Sequence, residues 1–121
     1  MILIVDDSTT NQVLLEAILQ EEGYETVTAF GAKEALKLVE KNKPRLILLD
    51  LLMPDISGFD FLKELKGDIN TSYIPVIVVS AVGSRENIEM CMQYGAADFF
   101  SKPIDIGLFV SKVKQTMLGE I

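Results

Sequence analysis

Short apolar runs punctuate the chain, and each breaks into polar residues. Ile2-Leu3-Ile4-Val5 runs into Asp6-Asp7, Leu46-Ile47-Leu48-Leu49 into Asp50, and Val76-Ile77-Val78-Val79 into Ser80. These runs are aliphatic throughout, with no alternation of polar positions. That pattern predicts strands buried on both faces, as in the middle of a parallel sheet. Tyr24 to Ala29 and Asp98-Phe99-Phe100-Ser101 supply two further strands.

Between the strands the apolar spacing lengthens to that of a helix. Ser8 or Thr9 caps the first, whose inward stripe is Val13, Leu14, Ala17 and Ile18 and which ends at Gly23. The second spans Ala32 to Asn42, with Ala35, Leu36 and Val39 inward, and stops ahead of Pro44. Leu51 to Ser57 is a loop; Phe59, Leu62 and Leu65 then mark a third helix, stopped at Gly67. Asp68 to Pro75 is a polar linker with a short turn at Thr71-Ser72. Ser84 caps a fourth helix through Ile88, Met92 and Tyr94, closed by Gly95. Asp105 caps a fifth, with Phe109, Val113 and Met117 inward. Such alternation predicts an α/β fold with right-handed crossovers and helices on both faces. The expected architecture is (βα)5, a doubly wound five-stranded parallel sheet of order 2-1-3-4-5, flavodoxin-like.

Composition narrows the function. The 121 residues make one ordinary domain, and 49% are hydrophobic, enough for a full core. A net charge of -7 argues against nucleic acid or an anionic membrane surface as a direct partner. No apolar run nears the roughly 20 residues of a membrane span, and the apolar start is too short for a signal segment and lacks a basic leader. The single cysteine, Cys91, excludes an internal disulfide and reads as a small core or boundary residue. A cytoplasmic, reducing location is expected. Histidine is absent, which excludes His-based triads, His-ligated metals and a phosphohistidine carried by this chain.

In a parallel sheet the carboxyl ends of all strands meet on one rim, where open α/β sheets place their chemistry. Here that rim collects Asp6, Asp7, Asp50, Ser80 and Lys102. Three carboxylates so placed repel one another. A hard divalent cation relieves the conflict: Mg²⁺ takes oxygen ligands at about 2.1 Å and keeps several waters. The same oxygens would accept Mn²⁺, whereas Zn²⁺ would want softer donors. A simpler reading has Asp6-Asp7 only capping the first helix, but one aspartate would suffice for that. The Lys102 ammonium and the Ser80 hydroxyl complete a set of partners for the oxygens of a phosphoryl group in transfer. Asp50 is then the natural acceptor, as a carboxylate that forms an acyl phosphate. Lys102-Pro103 is a candidate cis peptide.

With these residues in place, the sequence resembles the receiver domain of two-component response regulators over essentially its whole length. The resemblance rests on Ile2 through Ser8, on Leu48-Leu49-Asp50-Leu51-Leu52-Met53-Pro54 with Gly58, on Val78-Val79-Ser80-Ala81, and on Gly95-Ala96-Ala97-Asp98-Phe99 followed by Lys102-Pro103. It implies one receiver domain over residues 1–121 with no output domain. It implies Asp50 as phosphoacceptor and Asp6 and Asp7 as the acidic pair for Mg²⁺, with Asp7 and Asp50 direct ligands and Asp6 acting through water. The carbonyl of Leu52 matches the backbone ligand, Lys102 the phosphoryl-pairing lysine and Ser80 the hydroxyl switch residue. Ala81 is small, as access to the phosphoryl oxygens requires, and Phe99 falls at the switch aromatic position.

The implied donor is a phosphohistidine on a histidine kinase or a histidine phosphotransfer protein, so the chain is a switch and not an enzyme in its own right. Phosphorylation adds about -1.5 to -2 of charge and would shift the face from Ser80 to Pro103. Its exposed residues, such as Met90, are expected to meet an output domain or downstream protein across residues 84–105. Leu52 and Val82 offer no hydrogen bond to a hydrolytic water, so self-dephosphorylation is expected to be slow. Three alternatives share parts of this pattern. A flavodoxin-like FMN protein would need a phosphate-binding loop where Asp6-Asp7 stands. A haloacid-dehalogenase-type phosphatase would want an aspartate where Leu52 stands. A degenerate receiver would act as an interaction module without phosphorylation, against which the intact Asp6, Asp7, Asp50, Ser80 and Lys102 set argues.

Overall fold

Strands and helices alternate from the first residues onward in a computed structural model that describes residues 1–119. The last two positions of the expected 1–121 domain lie outside the described residues. The elements are β1 (Ile2–Val5), α1 (Thr9–Glu21), β2 (Thr26–Ala29), α2 (Ala32–Asn42), β3 (Leu46–Leu49), α3 (Gly58–Gly67), β4 (Val76–Ser80), α4 (Arg85–Gln93), β5 (Asp98–Ser101) and α5 (Ile106–Met117). The sheet has five strands in the order β2-β1-β3-β4-β5, every pair parallel. The doubly wound topology is the expected one. Because the chain winds from β1 to β2 on one side and then crosses to β3 on the other, β1 and β3 lie side by side. Val5 stands opposite Leu49 in register, so Asp6 and Asp50 leave the sheet as neighbours.

Strand periodicity divides the core into two layers. Leu3, Val5, Ile47, Leu49, Val76 and Val78 face α2, α3 and α4, whose Ala35, Val39, Phe61, Leu62, Leu65 and Cys91 pack against them. Ile2, Ile4, Leu46, Leu48, Ile77 and Val79 face α1 and α5, meeting Leu15, Leu19, Phe109 and Val113. Every residue of β1, β3 and β4 is buried. At about 1.5–3 kcal/mol for each large side chain fully buried, this central trio is the rigid part of the molecule. Phe100 adds an edge-to-face contact with Phe109, ring centroids 5.6 Å apart.

Several local expectations change. In α1 the buried residues are Gln12, Leu15 and Leu19, while Val13 and Leu14 stand 58% and 49% exposed and Ala17 is exposed. The stripe is spaced three and four apart, as one helical face requires, but it begins on a glutamine. Gln12 can be buried because its amide donates to the carbonyls of Asp6 (2.7 Å) and Ala29 (3.0 Å). Strand β2 starts at Thr26, not Tyr24, because the Tyr24 N–H turns back to the Leu19 carbonyl and closes α1. In α4 only Cys91 is fully buried; Met92 is exposed, and Met90 is half-buried instead of free. In α5 Thr116 is buried and Met117 half-buried.

The 68–75 segment is less polar in its packing than in its composition. Ile74 joins the core. The Lys66 ammonium donates to the carbonyls of Ser72 (3.1 Å) and Ile74 (2.6 Å), and burial pushes its pKa down.

Candidate functional site

Each side chain at the rim is set by the strand before it. Asp50 follows β3 directly and is buried. Its Oδ1 accepts from the Ser80 hydroxyl at 2.9 Å and from the Leu52 N–H at 3.2 Å, while its Oδ2 accepts from the Lys102 ammonium at 3.0 Å. Asp6 follows β1 and is also buried. Its Oδ1 accepts from the Ser8 N–H at 2.9 Å and its Oδ2 from Lys102 at 3.1 Å. One ammonium therefore bridges two carboxylates carried by adjacent strands. Lys102 is itself held by its N–H, which donates to the Ser80 carbonyl at 3.0 Å, and the Lys102-Pro103 bond is cis.

The electrostatics follow from burial and from this bridge. Burial raises the pKa of Asp6, and the Ser8 N–H and Lys102 only partly offset it. Burial also works against the charge on Lys102, but its hydrogen bonds to Asp50 and Asp6 outweigh it and raise its pKa. Asp7 is exposed and makes the outer wall. One carboxylate oxygen from each of Asp6, Asp7 and Asp50 lies within 4.8 Å of the other two. Three hard oxygens that close, with no imidazole in the chain, fit a hard divalent cation and not a soft one.

The remaining site residues take graded positions. Ser80 is fully buried and Ala81 exposed. Leu52 is 54% exposed. Val82 and Phe99 are half-buried and pack against the same core layer. The Val82 carbonyl accepts from the Asn87 side chain at 2.9 Å, which ties the loop after β4 to the first turn of α4.

Two contributors, Gln12 and Asp55, were not singled out in the sequence, and a third, Gly58, entered only as part of the family motif. Gln12 fastens the carbonyl of Asp6 to the end of β2; its only sequence signal is its phase with Leu15 and Leu19. Gly58 has its N–H on the Leu51 carbonyl at 3.0 Å, and a Cβ there would lie 2.5 Å from Leu51 Cα. Asp55 accepts from the Lys33 N–H at 2.9 Å and the Ala32 N–H at 3.1 Å, at the start of α2. These bonds, that from Lys33 foremost, lower its pKa to about 2. A lowered folded pKa gives stability that is complete above the unfolded value of 3.8 and fades as pH falls through about 2. The stability difference between wild type and Asp55→Asn is thus expected to shrink steadily below about pH 4, as measured by urea unfolding at stepped pH. A constant difference down to pH 2 would contradict this assignment.

Among the described residues, no helix is long and apolar enough to cross a membrane. Residues 2–114 match the family model for the response regulator receiver domain. The chain is 40% identical over 113 residues to the response regulator PleD of Caulobacter vibrioides, covering 93% of this chain and 25% of PleD. It is 35% identical over 119 residues to the polar-differentiation response regulator DivK of Brucella anthropi, covering 98% of this chain and 96% of DivK. Thus it spans a quarter of the first relative's length and nearly all of the second's. Among solved structures, a CheY-like response regulator receiver domain protein from Methanospirillum hungatei superposes with a TM-score of 0.89 at 30% identity, covering 98% of this chain and 94% of that one.

Proposed function

This chain belongs to the response regulator receiver domain family, and from that membership we propose that Asp50 takes a phosphoryl group from a phosphohistidine of a partner protein. The observation that carries the proposal is the setting of Asp50: a buried carboxylate with Ser80 on one oxygen, Lys102 on the other, and Asp6 and Asp7 beside it. In the reaction a carboxylate oxygen of Asp50 forms the new P–O bond as the P–N bond to the partner's imidazole breaks. The bonding pair leaves on that nitrogen, which is protonated. Lys102 and Ser80, already within hydrogen-bond distance of the carboxylate, donate to the phosphoryl oxygens as charge builds on them. Asp6, Asp7, Asp50 and the Leu52 carbonyl would hold Mg²⁺. Bound there, the ion offsets the charge of the carboxylates and of the incoming phosphoryl group.

The histidine-bearing partner, a kinase or phosphotransfer protein, would approach beside α1. An apolar groove of about 520 Å³ lies between α1 and the segment after β5, lined by Leu14, Leu15, Val79, Pro103 and Ile106, with Lys102 at its wall. Lys102, which donates to Asp50, links this groove to the acceptor. On the other side, drawing Ser80 toward the phosphoryl group would free space beside half-buried Phe99 and alter the 84–105 face that an output domain or downstream protein reads. A reducing, cytoplasmic setting suits the lone buried thiol of Cys91.

The test is incubation with acetyl phosphate and Mg²⁺, followed by intact mass. Wild type is expected to gain one phosphoryl group and Asp50→Asn none; a gain that survives in Asp50→Asn would defeat the proposal. The acyl phosphate should also be long-lived. Leu52 and Val82 flank Asp50 and Ser80 with apolar side chains that cannot orient a hydrolytic water. Decay over minutes or longer is expected on removal of the donor, whereas a lifetime of seconds would contradict this role for the two side chains.

A further inference from the structure

The loop between β3 and α3 carries the Leu52 carbonyl, and it is pinned at both ends by unusual contacts. At its base, the Leu52 N–H is bonded to Asp50 Oδ1, and Gly58 is pressed against the backbone of Asp50 and Leu51. At its tip, Asp55 reaches across to α2. Helix α2 is preceded at its N-cap by Gly31, which has no side chain to cap it. The first-turn N–H groups of Ala32 and Lys33 are capped instead by Asp55, 23 and 22 residues away in sequence, while the Ile56 N–H donates to the same carboxylate at 2.8 Å. A Cβ on Gly31 would lie 2.8 Å from Asp55 Oδ1, so the bare glycine leaves the carboxylate its seat. A helix cap normally comes from the residue next to the helix. Here it comes from the loop that supplies the metal's backbone ligand.

We propose that Asp55 is a positioning residue for the metal site, clamping the loop tip to α2 so that the Leu52 carbonyl stays aimed at the ion. The inference rests on the reading of that carbonyl as a Mg²⁺ ligand. Between the Leu52 N–H and Asp55 lie only Met53 and Pro54, so release of the tip loosens the peptide that carries the ligand. Groups that orient a ligand typically change metal affinity by about 10- to 100-fold.

The experiment compares Mg²⁺ dissociation constants by calorimetry, with amide hydrogen exchange, for wild type, Asp55→Ala, Asp55→Asn and Thr71→Val. Thr71 bonds the Leu65 carbonyl at 2.6 Å at the opposite rim, so its loss reports stability alone. Asp55→Ala is expected to bind Mg²⁺ about tenfold more weakly and to exchange faster at Leu52 and Met53. Asp55→Asn keeps one acceptor oxygen and is expected to fall between; it also serves if Asp55→Ala does not fold. Thr71→Val is expected to bind as wild type does. Asp55 variants that lose thermal stability but bind Mg²⁺ as wild type does would overturn the proposal and leave Asp55 a plain helix cap. A wild type that takes up no Mg²⁺ would instead defeat the ligand reading beneath it.

Discussion

Lys102→Ala is expected to destabilise the metal-free protein by about 3 kcal/mol, the lower end for breaking a buried ion pair, and to make its stability depend on Mg²⁺. The Lys102 side chain is 20% exposed, whereas those of Asp6 and Asp50 are 3% and 7% exposed. Removing the ammonium leaves two buried carboxylates facing each other across the space it filled, with Asp7 close by. Either one of them takes up a proton or the fold bears their repulsion. A divalent cation can replace the lost charge, and it no longer competes with the lysine. Mg²⁺ at a hundred times its dissociation constant contributes about 2.7 kcal/mol, close to what was lost. Phosphorylation is not rescued in parallel, because the ion cannot replace a donor aimed at the phosphoryl oxygens. Loss of one such donor slows the step by about 10²–10³. Urea unfolding with and without Mg²⁺, alongside the rate of labelling by acetyl phosphate, checks both halves. A variant as stable as wild type in metal-free buffer would show that the bridge does not hold the rim together.

Gly58→Ala carries the largest expected effect among the glycines. Its added methyl would lie 2.5 Å from Leu51 Cα and 2.7 Å from the Asp50 carbonyl oxygen. Both obstacles are backbone, so no side chain can swing away. The first turn of α3 must lift off the end of β3, and the Ser57 cap, bonded to the Asp60 N–H at 3.2 Å, shifts with it. Overpacking of this kind costs about 3 kcal/mol, or roughly 12 °C in Tm for a domain of this size. The loop joining β3 to α3 carries Leu52 and shifts with that turn, so slower phosphorylation should accompany the loss. Gly67→Ala is the comparison: nothing lies within 4 Å of a Cβ there, so its Tm should stay near that of wild type. Equal behaviour of the two variants would contradict the close approach at Gly58.

The sheet was legible because β1, β3 and β4 are apolar at every position save the serine that ends β4, a pattern only a doubly covered strand tolerates. The polar residues that end those strands pointed to the rim, and the order of the strands brought Asp6 beside Asp50. The first helix was misphased because its inward face starts with Gln12. Nothing in a glutamine's identity says that two backbone carbonyls wait for its amide. Asp55 was hidden for a related reason. Its partners at Ala32 and Lys33 are distant in sequence, and a cap normally announces itself next to its own helix. Met90, expected to be exposed, is half-buried; α4 is short and buries only Cys91 fully, too little to phase a stripe. Apolar spacing thus located the elements, while polar groups bonded across elements became visible only in three dimensions.

The most direct measurement is the chemical identity of the phosphorylated residue. Borohydride reduces an acyl phosphate to the alcohol, which converts a phosphorylated aspartate to homoserine and leaves free carboxylates untouched. After acetyl phosphate and Mg²⁺, peptide sequencing by mass spectrometry is expected to find homoserine at position 50 alone. Homoserine at Asp6, Asp7 or Asp55 with Asp50 intact, or a phosphoryl group retained on a serine or threonine, would contradict the assignment of Asp50 as the acceptor.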